Sequence, residues 1–388
     1  MLIMFFIVYP LCLLILSWFL LVKPLGLRRK WALLLLFVYF CGSFKDLISN
    51  LSGGSNIVAP EASYEVVTWM STLNITVIIS LFLALWIHAG RFIWKFLHRE
   101  QAARMPGFRW QYLVITLAAA VLAMIGRMNA GALPEIHKYT LFDDRYPQTS
   151  RGFVRIVQLS DTHFGTSVGP EKAKKAMEMV NQMEPDLILI TGDMIDGRPE
   201  KSREETVYFK NLKANYGVYA VHGNHEYYSY PEEWDPVWRD LGITILENEH
   251  VPIVIDGKTA LYVAGISDRQ ALRVKDKNYE GPNPEKALKG IPPEMPVVLM
   301  SHRPAEFNRV APMGVALTLA GHTHGGHIAG LDRVISALNG GYVAGYYAQG
   351  DSRLIVSSGT FLWGGFFCRL GTPRGEIAVI DLMPRKHD

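Results

Sequence analysis

The first 22 residues, "MLIMFFIVYPLCLLILSWFLLV", contain no charged side chain. A helix of about 20 apolar residues crosses the roughly 30 Å hydrocarbon core of a bilayer. Within that core, every backbone N–H and C=O must be paired inside the segment. This run therefore limits the start of the chain to a membrane helix or a removable leader. A leader needs a basic start and a small-residue cleavage site. Here the first charge is Lys23 and no Ala-x-Ala site follows, so the segment reads as a retained span.

Three further segments resemble it. "VVTWMSTLNITVIISLFLALWIHAG" (66–90) is long, and "WQYLVITLAAAVLAMIG" (110–126) is just sufficient. "WALLLLFVYFCGSF" (31–44) reaches span length only by including the following residues to about 50, with Lys45 and Asp46 near its outer end. Loop charges test the count. Lys23, Arg28, Arg29 and Lys30 fill one loop, and Arg91, Lys95, Arg99, Arg104 and Arg109 another. Basic loops stay cytoplasmic, and four spans put both on that side. The expectation is a multi-pass membrane protein with four helices (about 1–22, 31–50, 66–90 and 110–126) and everything after 127 outside the cytoplasm. Asn74 and His88 inside the third segment read as packing or interfacial groups.

Composition bounds the rest. Hydrophobic residues make up 49% of the 388, concentrated in the first third. A net charge of +3 is too weak to argue for nucleic acid as partner. Cys12, Cys41 and Cys368 form no CxxC pair, which excludes a thiolate zinc site and a disulfide framework.

Past a connector at 128–150, the pattern of 151–388 is α/β. Short apolar runs such as "FVRIVQLSD" (153–161), "DLILITGD" (186–193), "VVLMSH" (297–302) and "VALTLAGH" (315–322) alternate with amphipathic stretches such as 170–185. Five of the runs end in Asp, Asn or His. In open α/β folds, ligands gather beyond the carboxyl ends of strands. "LSDTHFG" supplies Asp161 and His163; "TGDMIDG" supplies Asp193 and Asp196; "HGNHE" supplies Asn224 and His225. "MSHRP" adds His302, and "GHTHGG" adds His322 and His324. On extended backbone, residues two apart point the same way, so Asp161/His163 and His322/His324 can each aim two groups into one site. Gly192, Gly223 and Gly321 permit sharp turns beside them. Carboxylate, imidazole and amide donors without thiolate suit Mn, Fe or Zn. There are too many of them for one tetrahedral zinc, and they suit two divalent ions sharing a carboxylate.

These motifs, "DTH", "GDMID", "GNHE", "SH" and "GHTH", resemble those of the calcineurin-like metallophosphoesterases over roughly residues 150–385. With its apolar first third, the chain is similar to the membrane-anchored branch of that family. The resemblance implies a four-layer αββα sandwich. It also implies that Asp161, His163 and His324 hold one metal, that Asn224, His302 and His322 hold the other, and that Asp193 bridges them. His225 would be the non-ligand catalytic histidine, oriented by Asp196. His327, where relatives often have Gln, receives no role. The implied activity is hydrolysis of a phosphodiester by metal-activated water. Anchoring makes a membrane lipid or other amphiphile an attractive substrate. Alternatives on the same fold are a nuclease, a phosphomonoesterase, or a membrane sensor or transport subunit with an idle phosphoesterase domain. Of the basic residues near the motifs (Arg198, Arg269, Arg303 and Arg353), Arg303 is the best placed to meet phosphate. Trp363, Phe366 and Phe367 form an apolar patch that could line a substrate pocket, touch the bilayer or simply pack.

Overall fold

The computed structural model describes residues 4–51, 62–98, 109–165, 167–200, 202–274 and 279–385. The chain divides into two compact units: Met1–Asn129 with Gly364–Leu370, and Ala130–Trp363 with Gly371–Asp388.

The first unit is helical. Along the chain its helices are α1 (Phe6–Leu25), α2 (Arg29–Ser43), α3 (Lys45–Leu51), α4 (Tyr64–Leu97) and α5 (Gln111–Ala130). Three of them, α1, α4 and α5, are long and apolar enough to cross a membrane. The 31–50 segment, expected as one span, is two helices separated at Phe44 (φ −93°, ψ 27°). At 1.5 Å per residue, the 15 residues of α2 reach only about 22 Å. Gly42 and Ser43 are weak helix formers, and the Lys45–Asp46 ion pair follows the break. Arg99 and Arg104 of the second basic loop lie outside the described residues. Asn74 Nδ2 donates to the Gly42 carbonyl at 2.9 Å, and a Cβ on Gly42 would strike the Leu73 backbone. Small residues let membrane helices approach this closely. His88 Nε2 lies 3.2 Å from the Leu20 carbonyl, and its ring stacks on Tyr112. Both polar residues therefore pack helix against helix. Within this unit, the 364–370 segment is tied by Phe367 N–H to Ser71 Oγ (2.7 Å) and by Arg369 N–H to the Gly126 carbonyl (3.0 Å).

The second unit is built on two six-stranded mixed sheets. One contains β1 (Glu135–Phe142), β2 (Val154–Leu159), β3 (Leu187–Ile190), β4 (Val218–Ala220), β5 (Ile243–Ile245) and β12 (Glu376–Met383), in the order β1-β12-β2-β3-β4-β5. The other contains β6 (Glu249–Ile255), β7 (Lys258–Ile266), β8 (Val297–Ser301), β9 (Leu317–Ala320), β10 (Gly345–Gln349) and β11 (Ser352–Val356), in the order β10-β11-β9-β8-β7-β6. The 128–150 stretch, read as a connector, supplies the edge strand β1, which pairs in parallel with β12.

Strand periodicity explains the layers. Val154 and Ile156 of β2, with Leu187 and Leu189 of β3, face a core shared with Val263, Val298, Met300, Leu317 and Leu319 of the other sheet. The alternate residues Val157, Leu159, Ile188 and Ile190 face outward. There they meet Ala173, Ala176, Met177 and Val180 of α6 (Pro170–Gln182). The short α7 (Asn224–Tyr228) is followed by α8 (Pro231–Asp240), which adds Trp234 and Trp238 to that outer core. Phe307 and Val310 pack on the outer face of the second sheet. The result is the expected helix–sheet–sheet–helix sandwich. One surface helix, α9 (Leu331–Leu338), has no buried residue.

Candidate metal centre

Parallel pairing brings the motif loops to one rim. Leu159 of β2 lies opposite Ile190 of β3, and Ile190 opposite Ala220 of β4. Pairing continues past the strands. Asp161 N–H donates to the Gly192 carbonyl (2.9 Å), and His163 N–H to the Asp193 carbonyl (3.1 Å). In the other sheet, Gly321 N–H donates to the His302 carbonyl (3.0 Å). The sheets join at this rim. His302 Nδ1 lies 2.8 Å from the Thr191 carbonyl, and His322 N–H donates to both carboxylate oxygens of Asp161 at 3.1 Å.

The local backbone differs from the extended form expected from the i, i+2 spacing. Asp161 (φ 52°), His163 (43°), Asp193 (52°), His322 (72°) and His324 (49°) are all left-handed. Such conformations are uncommon outside glycine and gather at functional sites. The paired side chains converge because both members of each pair are turned, and the strands have already ended. The glycines divide likewise. Gly192 needs its positive φ of 87°, whereas Gly223 and Gly321 supply room: a Cβ on either would strike the carboxylate of Asp193 or Asp161.

Among the described residues, the side chains form three overlapping groups able to hold a metal ion: Asp161, His163 and His324; His163, Asp193 and His225; and Asp193, His302 and His322. His163 Nε2 and His324 Nε2 are 3.2 Å apart, and His324 Nε2 is 3.5 Å from Asp161 Oδ1. On the other side, His302 Nε2 lies 3.2 Å from Asp193 Oδ2, 3.1 Å from His322 Nδ1 and 3.2 Å from Asn224 Oδ1. Imidazole nitrogens facing each other at this distance, beside buried carboxylates, form a donor set that fits a divalent cation of the Mn, Fe or Zn class.

The electrostatics follow from burial. Burial opposes charge on His225, but Asp193 and Asp196 outweigh it and hold the ring up at about 9. His302 reaches about 10 in the same way, chiefly through Asp193. His322 goes the other way, pushed well below its ordinary value by burial and then by the His302 and Arg303 charges. Burial works against ionised Asp196 too, yet His163 and His225 bring it down to about 2. Asp196 Oδ1 is 2.5 Å from His225 Nδ1 and 3.2 Å from His163 Nδ1.

All nine motif residues from the sequence thus meet at one rim. Arg303 reaches them as well. Its Nε donates to Asp268 Oδ2 at 2.6 Å, and its terminal nitrogens lie 2.6 Å from His322 Nε2 and 3.0 Å from Asn224 Oδ1. The other arginines do not. Arg198 stacks over Tyr230, Arg353 donates to the Gly350 and Ser352 carbonyls, and Arg269 is exposed. The aromatic patch splits. Trp363 packs against the His225 ring at 5.6 Å, and Phe367 is buried in the helical unit. His327, which received no role, lies 5.1 Å from His324, ring to ring.

Sequence reasoning missed Glu226 and Asp268. Glu226 is buried and accepts from the backbone N–H of Asp193 (3.0 Å), Met194 (2.6 Å) and Gly223 (2.7 Å), so one carboxylate fixes two motif loops. Its place within "GNHE" was the only available signal.

Residues 154–326 match the model of the calcineurin-like phosphoesterases. A metallophosphoesterase from Helicobacter pylori strain J99 is 31% identical over 271 residues, 68% of this chain and 69% of that one. Two proteins named transmembrane protein with metallophosphoesterase domain are also similar. The one from Bos taurus is 34% identical over 69% of this chain, and the one from Danio rerio 29% identical over 71%. This chain covers 61% and 63% of their respective lengths. Among solved structures, a dimetal phosphatase from Danio rerio overlaps 53% of this chain and 88% of its own at 13% identity and a TM-score of 0.35, too loose to bear on function. The family match at 154–326, together with a relative 31% identical and covered to 69% of its length, establishes that the chain belongs to the calcineurin-like metallophosphoesterase family.

Proposed function

We propose that the chain is a membrane-anchored phosphodiesterase working with two divalent cations. The observation that carries this reading is the Asp193 carboxylate, which belongs both to a group with His163 and His225 and to a group with His302 and His322. Asp161, His163 and His324 would hold one cation, Asn224, His302 and His322 would hold the other, and Asp193 would serve both. When bound, the pair supplies Lewis acidity that activates water and neutralises charge at phosphorus.

The chain's own groups do the rest. Arg303, held at Nε by Asp268 and set by its terminal nitrogens against His322 and Asn224, turns its remaining N–H groups toward phosphoryl oxygens bound at the site. Asp196 fixes Nδ1 of His225 and favours its charged form. The proton on the other ring nitrogen is then available to the leaving oxygen. Trp363, packed on His225, gives the leaving group an apolar wall. That wall and the apolar helices favour an amphiphilic or lipid-linked diester over a nucleic acid. In the membrane, α2 and α3 together complete a broken fourth crossing. Both basic loops then lie in the cytoplasm and the catalytic unit outside it.

A panel of phosphoesters tested on the purified protein with Mn, Zn or Fe examines this reading. Detergent-dispersed phospholipid-type diesters should be cleaved in preference to soluble nitrophenyl esters. The reverse preference refutes the amphiphile, and no hydrolysis with any metal refutes the enzyme.

A further inference from the structure

Strands β7, β8 and β9 run parallel, so their carboxyl ends open on one edge of the second sheet. His302 follows β8, and His322 and His324 follow β9. Two other features share that edge. After β9 and its histidines comes α9, whose eight residues include no buried one. Asp332, Ile335 and Ser336 form its half-buried side. Leu331, Val334 and Leu338, at i, i+3 and i+7, form an exposed stripe, with Val334 53% and Leu338 70% accessible. After β7 comes the turn Arg269–Arg273, with Leu272 71% accessible between exposed Arg269 and Arg273.

The helix is not a loose appendage. Gly330 N–H donates to the Asp332 carboxylate, and a Cβ on Gly326 would strike Asp332. The start of α9 is therefore locked to the turn that carries His324. Exposed leucine and valine beside exposed arginine, on one edge of one sheet, is the chemistry of an interfacial lipid surface: aliphatic groups for the acyl boundary, cations for anionic headgroups. Arg333 adds a further exposed cation within α9. A soluble partner would have to compete with the bilayer to which the chain is tethered, since only Gly131–Pro134 separate the end of α5 from β1. Eight residues are too few to bind lipid strongly alone, but a tethered surface needs little affinity to stay engaged.

We propose that the α9 stripe and the Leu272 turn form a lipid-contact rim that seats the metal-site edge of the catalytic unit on an anionic bilayer. This rests on the membrane reading above but not on any particular substrate. The test uses the full chain reconstituted into phosphatidylcholine vesicles containing phosphatidylglycerol. In a Cys12→Ala, Cys41→Ala, Cys368→Ala background, a fluorophore is attached at Val334→Cys or, as control, at Lys258→Cys, an exposed position at the opposite end of β7. Nitroxide-bearing acyl chains should quench the label at 334 several-fold more than the label at 258. Equal, weak quenching overturns the proposal. Protection of 334 that scales with protein-to-lipid ratio also overturns it, in favour of a second copy. Quenching needs no turnover, so a failure of the phosphodiesterase reading leaves this result standing. The triple variant Leu331→Ser, Val334→Ser, Leu338→Ser alters only exposed side chains. It should raise KM for a vesicle-embedded diester roughly tenfold while leaving a soluble ester unchanged. An unchanged KM for both counts against the rim.

Discussion

The threonine hydroxyls of the helical unit and the polar groups of the metal-site rim are satisfied by opposite routes. In the helical unit, the hydroxyls of Thr68, Thr72 and Thr76 each donate to the carbonyl four residues back, at 2.8, 2.8 and 2.9 Å. Ser17 and Thr116 do the same. In the catalytic unit, the partners lie far away in sequence: Gln158 donates to Ala320, His302 meets Thr191, and the His322 N–H reaches Asp161. Lipid offers no hydrogen bonds, so these hydroxyls close on their own helix, while Asn74 and His88 reach a neighbouring one. A metal centre requires convergence, which only distant residues can supply. Damage should therefore stay local in the first unit and spread in the second.

The largest expected effect comes from the most shared group. Asp193→Ala should remove both cations and lower hydrolysis by about 10³-fold or more, because several kcal/mol of charge stabilisation is lost at tenfold per 1.36 kcal/mol. Elemental analysis beside a turnover assay measures both, and retained activity would break the assignment. His225→Ala should keep the metal and lose roughly 10²–10⁴-fold in turnover, the usual range for a general acid. Metal loss from this variant would instead make His225 a ligand. Glu226→Ala leaves three backbone N–H groups without their acceptor, at about 1–3 kcal/mol each if they stay dry. A thermal melt should show the catalytic unit failing while the helices persist.

Protonation sharpens the contrast further. His225 and His302 rise from an ordinary value near 6.5 to about 9 and about 10 in the folded chain. Folding thus favours their charged forms. That stability is fully present below about 6.5 and is lost as pH rises through 9 to 10. In excess chelator, the melting midpoint of the catalytic unit should fall between pH 7 and 10, by about 2–4 °C per kcal/mol for a unit of this size. His225→Ala should flatten the trend. The smallest effect belongs to the helices. Asn74→Ala breaks one interhelical hydrogen bond, which in membranes contributes about 0.6 kcal/mol, and hydrolysis should be unchanged.

Residue type and strand-end position were enough to find all nine motif residues, because ligand chemistry restricts the choice to a few side chains and parallel strands align their ends. Three things were not legible. The break at Phe44 depends on where α2 stops, and fourteen apolar residues fit a helix of either length. The role of Glu226 depends on two loops meeting, which one-dimensional spacing does not encode. Strand β1 lay in a stretch read as connector because its partner β12 is about 240 residues away, and an edge strand with an exposed face lacks a continuous apolar run.

The left-handed backbone at Asp161, His163, Asp193, His322 and His324 carries an evolutionary consequence. Each such residue costs about 1–3 kcal/mol in the fold, a cost that the surrounding structure must offset. Replacing His324 by glycine removes one of the proposed metal-holding side chains and relieves the torsion in one step. Measured without metal, such a variant should melt at a higher temperature than the parent chain. A lineage that stopped needing hydrolysis would be drawn toward glycine at these positions by stability alone. In this sequence every one of them keeps a carboxylate or imidazole able to hold metal, which is what continued selection for the proposed chemistry would leave behind.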